Sequence, residues 1–266
     1  METIGNESKA KRFGKAAIDI VSFAALAVII ITIISVPFAT VLLKLGKEEA
    51  DTMSYFILSE TLMLAGVFLS AWIVWHLRGF SLEGLGRSLT MRWKDWLSGI
   101  LLATVLYAVG FGISLWAGAV EIAGVAFNPS SLLISLVFFL LVAVTEELAL
   151  RGFVLERLLQ SGVNKFCALF LSAALFSLIH IGNPNFDFLS FINILLAGIL
   201  LGSSYIYTRN LCFPIALHWF WNWIQGPVLG YEVSGNKFCN GFLSCNRLAG
   251  PSAARSQSDK RRRFRL

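Results

Sequence analysis

An all-α bundle of membrane-spanning helices is the fold class that this sequence predicts, and three observations predict it. Hydrophobic residues make up 56% of the chain and charged residues 14%, with a mean hydropathy of +0.72; soluble domains hold roughly 45–50% and 25%. Apolar runs near the length of about 20 residues that crosses a bilayer as a helix recur at 17–43, 54–76, 96–118, 131–150, 164–181, 188–207 and 212–230. Positive charge also alternates between the connecting loops. Seven spans are therefore expected, each satisfying its own backbone hydrogen bonds and packing on its neighbours. No soluble catalytic domain is left over.

The elements follow in order. Residues 1–16 carry Lys9, Lys11, Arg12 and Lys15 and read as a cytoplasmic amino-terminal segment. The first apolar run is longer than the 7–15 residues of a signal peptide's core, and no small-x-small cleavage site follows cleanly, so it reads as an uncleaved span. Residues 17–130 hold three accessory spans. Arg78, Arg87, Arg92 and Lys94 crowd the loop after the second span, and Arg151, Arg157 and Lys165 follow the fourth, whereas 119–130 and 182–187 carry no Lys or Arg. The positive-inside rule places the amino terminus, 77–95 and 151–163 in the cytoplasm. The expected location is the cytoplasmic membrane of a bacterium.

Residues 131–230 form the expected core, and 231–266 a polar, basic tail. Seven spans would leave the carboxyl terminus outside, yet the tail ends in Lys260, Arg261, Arg262, Arg263, Phe264 and Arg265. Three readings meet this conflict: a re-entrant run, a tail that departs from the rule, or an abnormal end after Ser234. The tail's composition predicts disorder and attraction to anionic headgroups rather than to nucleic acid. Cys167 and Cys212 fall in spans and Cys239 and Cys245 in the tail, with no C-x-x-C spacing, so the first pair reads as small buried hydrophobes. Gly198 and Gly202 form a G-x-x-x-G suited to close helix packing. His76, between Trp75 and Arg78 at the end of span two, reads as interfacial.

The chemistry lies in the last four spans. Glu146 and Glu147 end a run otherwise apolar enough to cross the membrane, where a carboxylate costs roughly 2.5–3.5 kcal/mol and normally faces a partner or a wet cavity. Glu147 and Arg151 are four apart with the acid first, the favourable order for a helical ion pair, so Glu147 is expected to neutralise Arg151 and anchor the helix end. Glu146 lies about 100° round the helix with no local cation and remains free to face a cavity. His180 follows Phe176 by one turn, and an imidazole there relays a proton, orients a water or ligates a metal. His218 and Asn222 are again one turn apart, a pair of donors suited to an oxyanion. Each histidine alone also reads as a helix-helix hydrogen bond, and Trp219, Trp221 and Trp223 as an interfacial belt.

EELALR at 146–151, FSLIH at 176–180 and HWFWN at 218–222 resemble, in order and on separate helices, the E-E-x-x-x-R, F-x-x-x-H and H-x-x-x-N motifs of the CAAX prenyl protease and bacteriocin-processing family, the type II CAAX endopeptidase-like (Abi) intramembrane proteases. The resemblance covers 131–230. It implies an intramembrane endopeptidase acting on a membrane-tethered peptide, prenylated or bacteriocin-like, with membrane lipid around it. By the resemblance, Glu146 and His180 activate a water, His218 and Asn222 stabilise the oxyanion, and Glu147, Arg151 and Phe176 support them. No cofactor is expected in this reading; the alternative is zinc on Glu146, His180 and His218, the three-ligand open site of catalytic zinc, although the sequence lacks H-E-x-x-H. Family members commonly continue with a further apolar helix, whereas this chain turns polar after Ser234, which predicts a truncated or frame-altered end. Two other classes stay open: a non-catalytic membrane scaffold, and a transporter or proton relay using the same side chains.

Overall fold

The computed structural model of the protein describes residues 8–45, 53–79, 91–235 and 242–247. Among the described residues the apolar runs form seven helices in the expected order: α1 (Lys9–Leu45), α2 (Met53–Arg78), α3 (Trp93–Trp116), α4 (Pro129–Gln160), α5 (Lys165–Leu178), α6 (Phe188–Thr208) and α7 (Cys212–Trp223). Five of them, α1, α2, α3, α4 and α6, are long and apolar enough to cross a membrane, and the chain is an all-α polytopic bundle. With a rise of 1.5 Å per residue, α5 reaches only about 21 Å, short of the roughly 30 Å hydrocarbon layer. A two-stranded antiparallel sheet accompanies the helices: β1 (Val120–Val125) lies in the expected loop after α3 and pairs with β2 (Leu243–Arg247), Val125 opposite Leu243 and Val120 opposite Arg247. The terminal run from Lys260 to Arg265, Arg87 and Cys239 lie outside the described residues.

Side-chain caps fix where the core helices begin. Asn128 accepts from the Ser131 amide at 3.1 Å with Pro129 following it, and Asn164 accepts from the Phe166 amide at 2.9 Å. Asp187 accepts from the amide and the hydroxyl of Ser190, both at 2.7 Å, and the hydroxyl first and the amide second hold its carboxyl below the usual range. Each cap satisfies amides that the first helical turn leaves unpaired.

The fourth helix departs from the sequence reading. The basic segment 151–163 was expected as a loop and Glu147 as a helix end, yet α4 runs on to Gln160, through a π-helical stretch, Leu148–Leu155. Long-range pairs let the charges stay helical. Glu156 receives Arg209 Nη1 at 2.7 Å and the Tyr205 hydroxyl at 3.1 Å, both beyond the end of the run. Asp19 of α1, 2% exposed, receives Arg78 Nε at 2.6 Å and Arg157 Nη2 as well. The positive ends of α2 and α4 thus meet on one acid and lie at one side of the bundle, together with Arg209.

α4 is central and packs on α2 and α7, while α1 packs on α2, α3 on α7 and α5 on α6. The core gathers where the π-helical stretch meets α5 and α6, around Phe153, Leu155, Leu169, Phe176, Leu201 and Tyr205. Small residues set the closest approaches. A Cβ on Gly198 would stand 3.0 Å from the Cα of Ala173, the helix contact that the G-x-x-x-G spacing predicts. At Gly99 of α3 it would stand 2.7 Å from the Phe213 carbonyl oxygen and 2.8 Å from the Leu217 nitrogen. Gly99→Ala is expected to force α3 off α7 at a cost of about 1–3 kcal/mol, read as a lower unfolding temperature in detergent. Cys212 is buried as expected, but Cys167 is exposed on α5.

Candidate active site

Three helices bring the predicted polar groups to one cavity of about 150 Å³. Glu146 on α4, Phe176 and His180 at the end of α5, and His218 and Asn222 on α7 all line it, among Leu, Ile, Ala and Trp side chains. The local geometry follows the spacing. His180 sits two residues past the last residue of α5, with its Nδ1 2.7 Å from the Phe176 carbonyl oxygen one turn earlier. A carbonyl only accepts, so Nδ1 carries the hydrogen and Nε2 presents its lone pair. That lone pair faces Glu146.

Glu147 lies behind the cavity and backs His218. Fully buried, it accepts on Oε1 from Arg151 Nη1 at 2.7 Å and from His218 Nδ1 at 2.9 Å. The first contact is the ion pair expected from the i, i+4 spacing; the second joins residues 71 positions apart and was not foreseen. Arg151, also fully buried, donates from Nη2 to the Gly198 carbonyl at 3.1 Å and lies 4.6 Å over the Phe176 ring. Phe176 meets the His180 ring at 4.9 Å and the His218 ring at 6.0 Å, edge to face. One aromatic ring therefore spaces the guanidinium and both imidazoles.

With both Nδ1 atoms engaged, both Nε2 atoms converge on Glu146. Its Oε2 stands 3.8 Å from His218 Nε2 and 4.0 Å from His180 Nε2, and it has no hydrogen-bond partner among the described residues. These gaps exceed a direct hydrogen bond. A single oxygen making bonds of about 2.8 Å to two of the atoms spans such a gap. Asn222 lines the cavity with an amide that bonds no described residue.

A zinc ion is a poorer match to these atoms. Zinc bonds of about 2.0–2.2 Å in a tetrahedron hold neighbouring donors roughly 3.2–3.5 Å apart, closer than the 3.8 and 4.0 Å found here. Among the described residues no three His, Cys, Asp or Glu side chains are grouped as a metal site. As they stand, these donors are spaced wider than a tetrahedral zinc site holds them.

Other predicted residues lie apart from the cavity. His76 is exposed at the end of α2 and stacks on Trp72 at 5.5 Å. Trp219 and Trp223 donate their indole hydrogens to the carbonyls of Leu136 and Leu132 on α4, at 2.8 and 3.1 Å, which pins α7 to α4 rather than leaving both in an interfacial belt. Trp221 lines the cavity and meets Tyr107 at 4.8 Å.

Four residues at the site escaped the sequence reading. Gln225 lines the cavity and continues the His218, Asn222 stripe at the i+7 position, so the helical period would have found it. Val233 and Ser234 close the cavity from beyond the second π-helical turn, Ile224–Val228. They fall where the composition turns polar, which drew attention away from them. Glu60 on α2 lines an adjoining cavity that also reaches Glu146. It is a lone carboxyl in an apolar run, the same signal that marked Glu146.

No curated protein and no solved structure matches the chain. The family model described as Type II CAAX prenyl endopeptidase Rce1-like matches residues 128–224, about a third of the chain, from the cap of α4 to the residue after α7. Over that stretch, which holds all three motifs, this membrane protein matches the Rce1-like family of type II CAAX prenyl endopeptidases, the family that the motifs resemble.

Proposed function

We propose that the protein is an intramembrane endopeptidase that hydrolyses a peptide bond of a membrane-tethered substrate with Glu146, His180, His218 and Asn222 and without a metal. The observation that carries this reading is the convergence of Glu146 Oε2 and the two histidine Nε2 atoms at 3.8 and 4.0 Å. A water among these atoms has two hydrogens and meets three acceptors when both histidines are neutral. One further proton makes the set complete. His218 is the natural holder, because the Glu147 carboxylate backs its Nδ1–H at 2.9 Å. Glu146 and Glu147 then balance Arg151 and the His218 imidazolium, and the buried cluster carries no net charge.

In that state the water donates to Glu146 and to His180 Nε2. Glu146 takes one proton as the water oxygen bonds to the scissile carbonyl carbon, general-base chemistry. The carbonyl oxygen becomes an oxyanion and accepts from His218 Nε2–H and from the Asn222 amide, donors that line a largely apolar cavity where they act strongly. When the tetrahedral carbon reforms its carbonyl, the C–N bond breaks and the amine takes the proton from Glu146. The products are a carboxylic acid and an amine. Membrane lipid surrounds the bundle, and a lipidated or otherwise tethered peptide enters from it.

Purified protein in nanodiscs with a tethered fluorogenic peptide tests the reading. Cleavage is expected to persist after exhaustive treatment with a zinc chelator. Activity lost on chelation and restored by zinc alone would replace the metal-free mechanism.

A further inference from the structure

Glu60 adds an acid that the mechanism does not use. It lies on α2, outside the family match, and is 7% exposed. Its Oε1 has no hydrogen-bond partner among the described residues. The Thr145 hydroxyl lies within reach of both the Glu60 carboxyl and the Leu141 carbonyl, 2.8 Å away, and has one hydrogen for the two, while Oε1 stays unpaired among the described residues. A carboxyl that keeps an oxygen unpaired within a membrane is costly, and such residues normally mark a site.

The space it faces is a cavity of about 560 Å³ between α2 and α4, walled by Ile31, Met63, Val67, Phe138 and Val142. This cavity and the smaller one between α5, α6 and α7 share Glu146, His180, Asn222, Val233 and Ser234. The reacting groups thus form the junction of two chambers, and a chain passing from one to the other crosses Glu146 midway. Among the described residues neither chamber is lined by Lys or Arg. Arg151 is taken up by Glu147 and the Gly198 carbonyl.

We infer that Glu60 is a substrate-binding residue and that its chamber takes a peptide segment bearing a basic side chain or amine beside the scissile bond. The inference rests on the endopeptidase reading above and adds a substrate class to it. A cation supplies the unpaired oxygen with donors and complements a chamber lined, among the described residues, by the carboxyls of Glu60 and Glu146, the arrangement that confers selectivity at a desolvated site. A guest with an anionic group there meets the two carboxyls first, with the His218 imidazolium only on the far side of Glu146. Apolar atoms of the same guest fill the remaining wall.

The test is a panel of peptides on one membrane anchor that differ only in one residue next to the cleaved bond, on each side in turn: lysine, norleucine or glutamate. The wild-type protein is expected to cleave the lysine peptide at one of these positions with kcat/KM about tenfold or more above norleucine, mainly through KM, and the glutamate peptide least. Glu60→Gln is expected to bring the lysine peptide down to the norleucine level, and Glu60→Lys to turn the preference toward glutamate. Equal cleavage of lysine and norleucine peptides by the wild type overturns the inference without any variant, as does a Glu60→Gln protein that keeps the wild-type ratio. Cleavage of the whole panel that survives in Glu146→Ala, or no cleavage by the wild type, overturns the endopeptidase reading itself.

Discussion

Glu146→Ala is expected to lower kcat by about 10²–10⁴-fold, the range of a general base lost from its reaction, with the fold intact. The side chain is one-fifth exposed to the cavity and its Oε2 makes no hydrogen bond to a described residue, so removing it breaks no hydrogen bond at that oxygen. Stability is expected to change little, which separates this variant from one that merely unfolds. Glu146→Gln keeps the volume and the polarity but cannot accept the proton, so it should be as inactive as alanine. Both are checked by turnover of the tethered peptide beside a thermal unfolding curve. A Glu146→Gln protein with near-normal turnover would remove Glu146 from the chemistry.

Arg151→Met gives the opposite pattern, a loss of stability before any loss of chemistry. The guanidinium and the Glu147 carboxylate are both fully buried, at 2.7 Å. Removing one partner strands the other charge in an apolar core, a change worth about 3–5 kcal/mol. It also frees the Gly198 carbonyl and uncovers the Phe176 ring, so α4, α6 and α5 loosen together. The double variant Glu147→Gln, Arg151→Met is expected to be less destabilised than the two single changes added, because the stranded charge goes with its partner. Activity in the double variant should still fall, since Glu147 also holds His218 Nδ1 at 2.9 Å. Unfolding temperatures of the three variants in one detergent decide the matter; simple additivity would mean that the pair is not coupled.

Much of the site was legible because a bilayer makes polar side chains conspicuous one at a time. Glu146, His180, His218 and Asn222 stood out against apolar runs, and the pairs Glu147 with Arg151, Phe176 with His180 and His218 with Asn222 are one helical turn apart, a distance that the backbone itself sets. Glu60 met the first criterion and failed the second: no polar residue lies at helical spacing to suggest a partner, since its neighbours Thr145 and Glu146 come from another helix. The continuation of α4 to Gln160 was hidden for a related reason. Glu156 and Arg157 read as loop charges until Arg209 and Asp19, far along the chain, are brought to them. Val233 and Ser234 lie in a stretch whose polarity resembles a tail, and only packing over Phe138 and Phe139 shows Val233 as a wall.

By itself, then, the amino-acid sequence determined the class of molecule, an apolar bundle with a small set of polar groups, because the penalty for placing a charge in hydrocarbon is charged residue by residue. It also determined which of those groups share a helix face. The tertiary structure alone decided that Glu147 backs His218, that both imidazoles turn their free nitrogens to Glu146, and that Glu60 joins from α2. Such pairings depend on the relative rotation and depth of separate helices. Lipid-facing and core-facing surfaces are built from the same apolar side chains, so that rotation is set by packing at contacts such as Gly99 and Gly198 rather than by the pattern of hydrophobicity.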